Sequence, residues 1–281
     1  MASDGRRLWN NRMLKMRSGK INKGYLTIIG FGLFVTACNA QNVSWKDMDS
    51  AEKAFNERQT KELVAFMSLE TMFPDEHVRA LAKAAGKGRI KKIDKLVAQG
   101  VNVNSRGARN ATPLFWAMQN LKGFKKLLEL GADPNVVFDD GGNIIVWAVT
   151  SKDKRFLELA LEYGGNPNLI SGQFNETPLF EAAGPHGKSK AVILLDAGAN
   201  IDAQNLSGDT TLMVAAGLGQ FDLVYELLER GADFNIQDER GDKLIDVIVF
   251  RQRTMDPKND LTRWMEKVIE WLNERDVYLP H

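Results

Sequence analysis

The sequence has little of the chemistry on which most enzymes depend. Its 281 residues hold one cysteine and three histidines. The histidines, His77, His186 and His281, lie far apart and without metal-ligand spacing. No Gly-x-Ser-x-Gly nucleophile turn and no His-Glu-x-x-His helix occurs. A single cysteine excludes an intrachain disulfide, so the fold has to be held by packing. Long hydrophobic runs are missing too: Tyr25 to Ala37 is thirteen residues, short of the roughly 20 that a membrane-spanning helix needs. Gly184-Pro-His-Gly187-Lys188-Ser189 has the outline of a phosphate loop, but Ala182 stands where that loop requires its first glycine. An ordinary turn between helices is expected there. The net charge of +1 gives no overall polarity. With 44% hydrophobic and 26% charged residues, the composition is that of a globular protein. The expectation is a non-enzyme with no cofactor, no metal and no small-molecule substrate.

What is present begins at the amino end. Arg12, Lys15, Arg17, Lys20 and Lys23 precede the apolar run, and basic residues followed by about 7–15 apolar ones form a secretory signal. The run ends in Val35-Thr36-Ala37-Cys38, which resembles the lipobox of bacterial lipoproteins. That resemblance implies a signal peptide over 1–37, a lipidated Cys38 and a tether over 38–46, with the start at Met1, Met13 or Met16. Several acyl chains on Cys38 would make the membrane attachment lasting. Asn39 in place of Asp implies the outer membrane, facing the periplasm, with the inner membrane as the alternative.

The rest of the chain is periodic. Thr112-Pro-Leu-Phe-Trp-Ala117 returns as Thr177-Pro-Leu-Phe-Glu-Ala-Ala183 and Thr210-Thr-Leu-Met-Val-Ala-Ala216. Degenerate copies stand at Asn143-Ile-Ile-Val-Trp-Ala148 and Arg79-Ala-Leu-Ala-Lys-Ala84. In step with them run Gly-Val-Asn-Val-Asn104, Gly-Ala-Asp-Pro-Asn135, Gly-Gly-Asn-Pro-Asn168, Gly-Ala-Asn-Ile-Asp202 and Gly-Ala-Asp-Phe-Asn235, at intervals of 31, 33, 34 and 33 residues. Proline suits a first helical turn, where its missing N–H has no partner to lose, and the threonine before it can cap exposed donors. Ile93, Leu96 and Val97, like Leu223, Val224, Leu227 and Leu228, have helical spacing and run into Gly100 and Gly231 as left-handed stops. Each unit is therefore a pair of short antiparallel helices, which buries its apolar face only by stacking on neighbours.

These motifs resemble the ankyrin repeat family. The resemblance implies an all-α repeat solenoid of stacked helix pairs with β-hairpin-like loops. About six repeats are expected, over 75–104, 105–135, 136–168, 169–202, 203–235 and 236–281, behind a capping helix region at 47–74 that includes Met48, Phe55, Leu63, Phe66 and Met67. Phe115, Val146, Phe180 and Met213 replace the family's usual histidine. Two residues are missing within Gln119–Lys126, which predicts a shortened turn, and Arg251 to Asp260 reads as an insertion before a last helix through Trp264, Val268 and Leu272. Trp116 and Trp147 share one repeat position and are expected in the core.

Charge is segregated along the chain. Residues 77–126 hold twelve Lys or Arg against Asp94 alone, whereas residues 196–246 hold eleven Asp or Glu against Arg230, Arg240 and Lys243. In a stack these ends cannot cancel locally. The basic end either steers a partner or lies near anionic lipid or solvent; nucleic acid is not expected.

In ankyrin proteins the loop tips and first helices grip other proteins. The resemblance places such contacts at Arg106, Arg109, Phe138, Asp139, Asp140, Gln173, Phe174, Glu176, Leu206, Ser207, Asp209, Glu239 and Arg240. Phe138, Phe174 and Leu206 stand out, because large apolar groups at loop tips either meet a partner or lean on the neighbouring loop. The run from Phe73-Pro-Asp to Thr112-Pro-Leu-Phe-Trp-Ala also resembles ankyrin lipoproteins that serve as immunity proteins against type VI secretion lipase effectors. That implies a secreted phospholipase toxin as protein partner. A periplasmic scaffold in oxidative-stress defence is the alternative, and an enzyme hidden in the solenoid the third reading.

Overall fold

The computed structural model describes residues 67–172, 174–254 and 261–279. Cys38, the signal segment, the tether, most of the capping region and Gln173 lie outside these residues. Thirteen α-helices occur among the described residues: α1 Leu69–Met72, α2 Glu76–Gly86, α3 Ile90–Ala98, α4 Pro113–Ala117, α5 Leu121–Glu129, α6 Ile144–Thr150, α7 Arg155–Glu162, α8 Pro178–Glu181, α9 Lys188–Asp196, α10 Thr211–Gly217, α11 Phe221–Glu229, α12 Leu244–Thr254 and α13 Leu261–Asn273. From α2 onward they form six pairs. In the first five pairs the first helix packs on its own partner, and second helices stack on second helices along the chain.

Local chemistry sets where the helices start. The side chains of Thr112, Asn143 and Thr210 accept the N–H of Phe115, Val146 and Met213 at 3.2, 3.0 and 3.3 Å, satisfying donors that the first turn leaves exposed. Thr177 departs from the expected pattern. It precedes Pro178 but makes no cap bond, and its hydroxyl is buried without a partner.

The glycine stops hold throughout. Gly100, Gly131, Gly164, Gly198 and Gly231 have φ of +91°, +85°, +88°, +88° and +87°. The next residue in each case, from Val101 to Ala232, returns its N–H to the carbonyl five positions back, closing the end of the second helix.

The period is locked by asparagine. Asn104, Asn135 and Asn168 each reach into the next repeat twice. Their Nδ2 donates to the carbonyls of Gly131, Gly164 and Gly198 at 2.8, 2.9 and 3.0 Å. Their Oδ1 accepts from the N–H of Asp133, Asn166 and Asn200 at 2.8, 2.7 and 2.7 Å. The fourth rung is weaker: Asp202 accepts from Asp233 N–H at 2.9 Å but as a carboxylate has no donor to offer.

One core runs through the pairs, with Leu81, Leu114, Ile145, Leu179 and Leu212 from the first helices and Ile93, Phe124, Leu157, Leu194 and Leu227 from the second. Leu69, Met72 and Phe73 bury themselves against the first pair. At the other end α13 buries Val268 and Leu272, as its spacing predicts, and Trp271 Nε1 donates to Glu229 Oε1 at 2.6 Å.

The turn of the second repeat is shorter than those of the third and fourth, where residues 151–154 and 182–187 separate the helices, but not than that of the fifth. Residues 118–120 separate α4 from α5, as many as residues 218–220 between α10 and α11. Against the fifth repeat the loss falls on the helix: α4 has five residues and α10 seven. α5 then lies so close to α2 that a Cβ on Gly123 would stand 1.9 Å from the Ala85 carbonyl oxygen. α12 continues to Thr254, so helix occupies part of the stretch expected as an insertion.

Candidate protein-interaction face

Between repeats the chain projects a hairpin-like loop, and three of these loops carry an isolated antiparallel bridge: Val137 with Asn143, Ser171 with Glu176 and Gln204 with Thr210. The tips are tied to each other. N–H groups of Asp139, Gly172, Leu206 and Glu239 donate to the carbonyls of Arg109, Gly141, Phe174 and Ser207 at 3.1, 3.0, 2.9 and 3.0 Å. Single loops move easily, but this ribbon of backbone bonds holds successive tips in fixed register. Arg106, Asp139, Leu206, Ser207, Glu239 and Arg240 are exposed on it, and Arg109, Asp140, Phe174, Glu176 and Asp209 are half-buried.

Phe138 is not a tip contact. It is 2% exposed, and its ring meets Phe115 edge-on at 5.1 Å between centroids. Phe138 N–H donates to the Gly142 carbonyl at 2.8 Å, so the tight turn through Gly141 folds the ring back onto the first helix. Of the three apolar tip residues, Leu206 alone stands well out, at 57% exposure.

The first helices supply a second row beside the tips. Lys83, Trp116, Trp147, Glu181 and Val214 recur at the same position of successive repeats. Lys83 is exposed and the other four are half-buried. Both tryptophans pack against the core, as expected, yet each keeps part of its surface open. Phe115 meets Trp147 edge-on at 5.7 Å, forming a continuous aromatic step with Phe138 beneath.

Toward the later repeats this row turns acidic and dry. Burial, and then the charge of Glu176, pushes the Glu181 carboxyl up to about 7, with Lys190 pulling the other way. Glu176 is raised by burial, against a hydrogen bond from Asn205 and with the charge of Asp209 adding to it. Asp209 is raised by burial, with Arg240 opposing and Asp238 adding. Lys190 is lowered by burial, and its Nζ donates to the Ser151 carbonyl at 2.5 Å. Asp238 goes the other way: burial opposes its charge, but the N–H groups of Asp242 and Arg240 and the Arg240 guanidinium outweigh it. Half-buried carboxylates short of compensating charge are costly in isolation, and a cation brought by a partner relieves that cost.

Glu181 and Lys190 were not among the residues singled out from sequence. The signal was present, because Glu181 occupies the register of Trp116 and Trp147. Gly184–Gly187 form the expected turn, with Gly187 N–H closing on the Gly184 carbonyl at 3.1 Å, and Lys188 and Ser189 begin α9. Among the described residues no group of three or more His, Cys, Asp or Glu could hold a metal ion.

Paired helices stacked by asparagine rungs, with a bonded ribbon of tips over a row of first-helix side chains, define a repeat scaffold for binding proteins. Residues 145–238 match the family model of ankyrin repeats in three copies. That segment consists of ankyrin repeats, and the stacked helix pairs on either side of it continue the same fold.

The chain is 32% identical over 143 residues to Protein PhlB of Serratia liquefaciens, covering 50% of this chain and 63% of that one. It is 28% identical to a putative palmitoyltransferase of Danio rerio over 73% of this chain and 32% of the relative. The chain thus spans less than two thirds of either relative. Among solved structures, an ankyrin repeat domain from Acinetobacter baumannii superposes with a TM-score of 0.60 at 24% identity, over 69% of this chain and 97% of the domain. A chain from the complex of a Bdellovibrio bacteriovorus predatory endopeptidase with an immunity protein gives a TM-score of 0.55 at 26% identity, over 67% of this chain and 97% of that one.

Proposed function

We propose that this protein is an immunity protein, lipid-anchored through Cys38 at the periplasmic face of the outer membrane, that binds and inhibits a phospholipase or lipase effector delivered by type VI secretion. The observation that carries the reading is the likeness to a chain of a predatory endopeptidase–immunity protein complex over nearly all of that chain. The lipase class rests on the resemblance of Phe73–Ala117 to immunity lipoproteins against such effectors. Inhibition is by occlusion: the tip ribbon and the Trp116–Val214 row cover the toxin's active site or its membrane-facing surface. Tethering raises the local concentration of inhibitor where a lipid-cleaving toxin acts.

The test is survival of a strain lacking this gene when challenged by its effector-secreting siblings, complemented with wild-type chain or with Trp147→Ala/Leu206→Ala. Protection by the wild type and not by the double variant, at equal abundance, is expected. Equal survival with and without the gene would refute the immunity role.

A further inference from the structure

We propose that the outer face of the first two repeats is a second, electrostatic contact with an anionic bilayer surface. Lys91, Lys92 and Lys95 on α3 and Lys122 and Lys125 on α5 are all exposed, as are Lys87 and Arg89 in the turn before α3. The two helices lie side by side, joined by the Lys126 to Asp94 ion pair at 2.8 Å. That pair engages Asp94, and the face then carries seven exposed cations against one further exposed carboxylate on the two helices, Glu129 at the end of α5. The patch continues into a groove between α5 and α7 of about 320 Å³, lined by Leu121, Leu159, Lys122, Lys125 and Arg155. Arg155 there is held by Asp153 at 2.6 Å, and Glu158 and Glu162 close the groove's far side, so the cationic field ends at α7.

Three features choose a bilayer over other polyanions. Six of the seven cations are lysines, point charges on flexible stems suited to a diffuse layer of headgroups rather than the bidentate forks that fix a single phosphate. None of the residues of the patch is aromatic, so it has no platform for stacking nucleic-acid bases. The patch belongs to the repeat that follows the apolar run Tyr25–Ala37 most closely in sequence. It lies on second helices, away from the tip ribbon, so lipid and a protein partner occupy different sides of the scaffold. Lysines near an anionic surface each strengthen binding by roughly fivefold, an effect that salt screens. The inference does not depend on lipidation of Cys38 or on the identity of the protein partner.

The experiment is co-sedimentation of full-length Cys38→Ser protein with vesicles of phosphatidylcholine alone or with phosphatidylglycerol added, scored as the ratio of the two partition coefficients. The apolar segment acts alike in every variant, so the ratio between variants reports the patch. Lys91→Glu/Lys95→Glu is expected to lower the ratio at least tenfold, and Lys152→Glu/Lys154→Glu, the same change in net charge on a different repeat, less than twofold. Lys91→Gln/Lys95→Gln, with unchanged helical circular dichroism, should give an intermediate fall that vanishes at high salt. Equal falls for the two Glu pairs, no fall for either, or tighter lysine-dependent binding to a single-stranded oligonucleotide than to the anionic vesicles would overturn the proposal.

Discussion

The two ends of this scaffold treat charge in opposite ways. In the first two repeats cations stand in water on the second helices, where Lys126 reaches Asp94. In the later repeats carboxylates withdraw from solvent on the first helices and tips, and Glu176, Glu181 and Asp209 are raised by that burial. Exposed charge acts at long range and is weakened by salt. Buried charge acts only on contact, and selects a partner able to replace the lost water. One repeating backbone thus carries exposed cations at one end and withdrawn carboxylates at the other.

The largest expected effect lies at the junction between the two. Phe138 joins α4 to the third repeat by packing on Phe115, so Phe138→Ala should cost about 3–5 kcal/mol in a guanidinium melt. A change under about 0.5 kcal/mol would mean that the ring is a surface contact after all.

Next comes the acidic row. The Glu181 carboxyl is raised in the fold from an ordinary 4.5 to about 7, so the fold favours its protonated form. That stability is complete below the unfolded value and is lost as pH rises through about 7. Glu181→Gln should therefore stabilise the protein by about 2 kcal/mol at pH 8 and leave it unchanged at pH 4. Equal effects at both pH values would remove the buried-charge side of the comparison.

A smaller effect is expected at the weak rung. Asp202→Asn supplies the donor that Asn104, Asn135 and Asn168 offer to the glycine of the next repeat, and should raise stability by about 1 kcal/mol. The smallest stability change belongs to Leu206→Ala, within about 0.5 kcal/mol because the side chain is mostly in water. The same variant should weaken partner binding at least tenfold, as an exposed apolar anchor on the ribbon.

Much of the fold could be read from the residues, because glycine, proline and asparagine impose their backbone geometry locally. The left-handed glycines, the helix starts at Thr112 and Thr210 and the six-fold pairing all follow from such residues. Thr177 shares the motif yet makes no cap bond, and nothing in its residue type distinguishes it from Thr112 and Thr210. The candidate face was harder to read. Phe138 and Leu206 differ in register within the tip. Phe138 stands where Asn205 does, closing the glycine turn with its N–H, whereas Leu206 stands one position on, where Asp139 does, with its N–H on the preceding tip. The raised carboxylates were invisible because their burial depends on loops about 30 residues away.

The central claim is that the tips and first helices of the later repeats, not the second helices, meet the protein partner. Hydrogen exchange on the protein, free and bound to whatever partner it retains from periplasmic extract, tests it directly. Slowed exchange across 138–151, 171–184 and 204–218, with 155–162, 188–196 and 221–229 unchanged, is the expected pattern. Protection confined to those second helices would contradict the account.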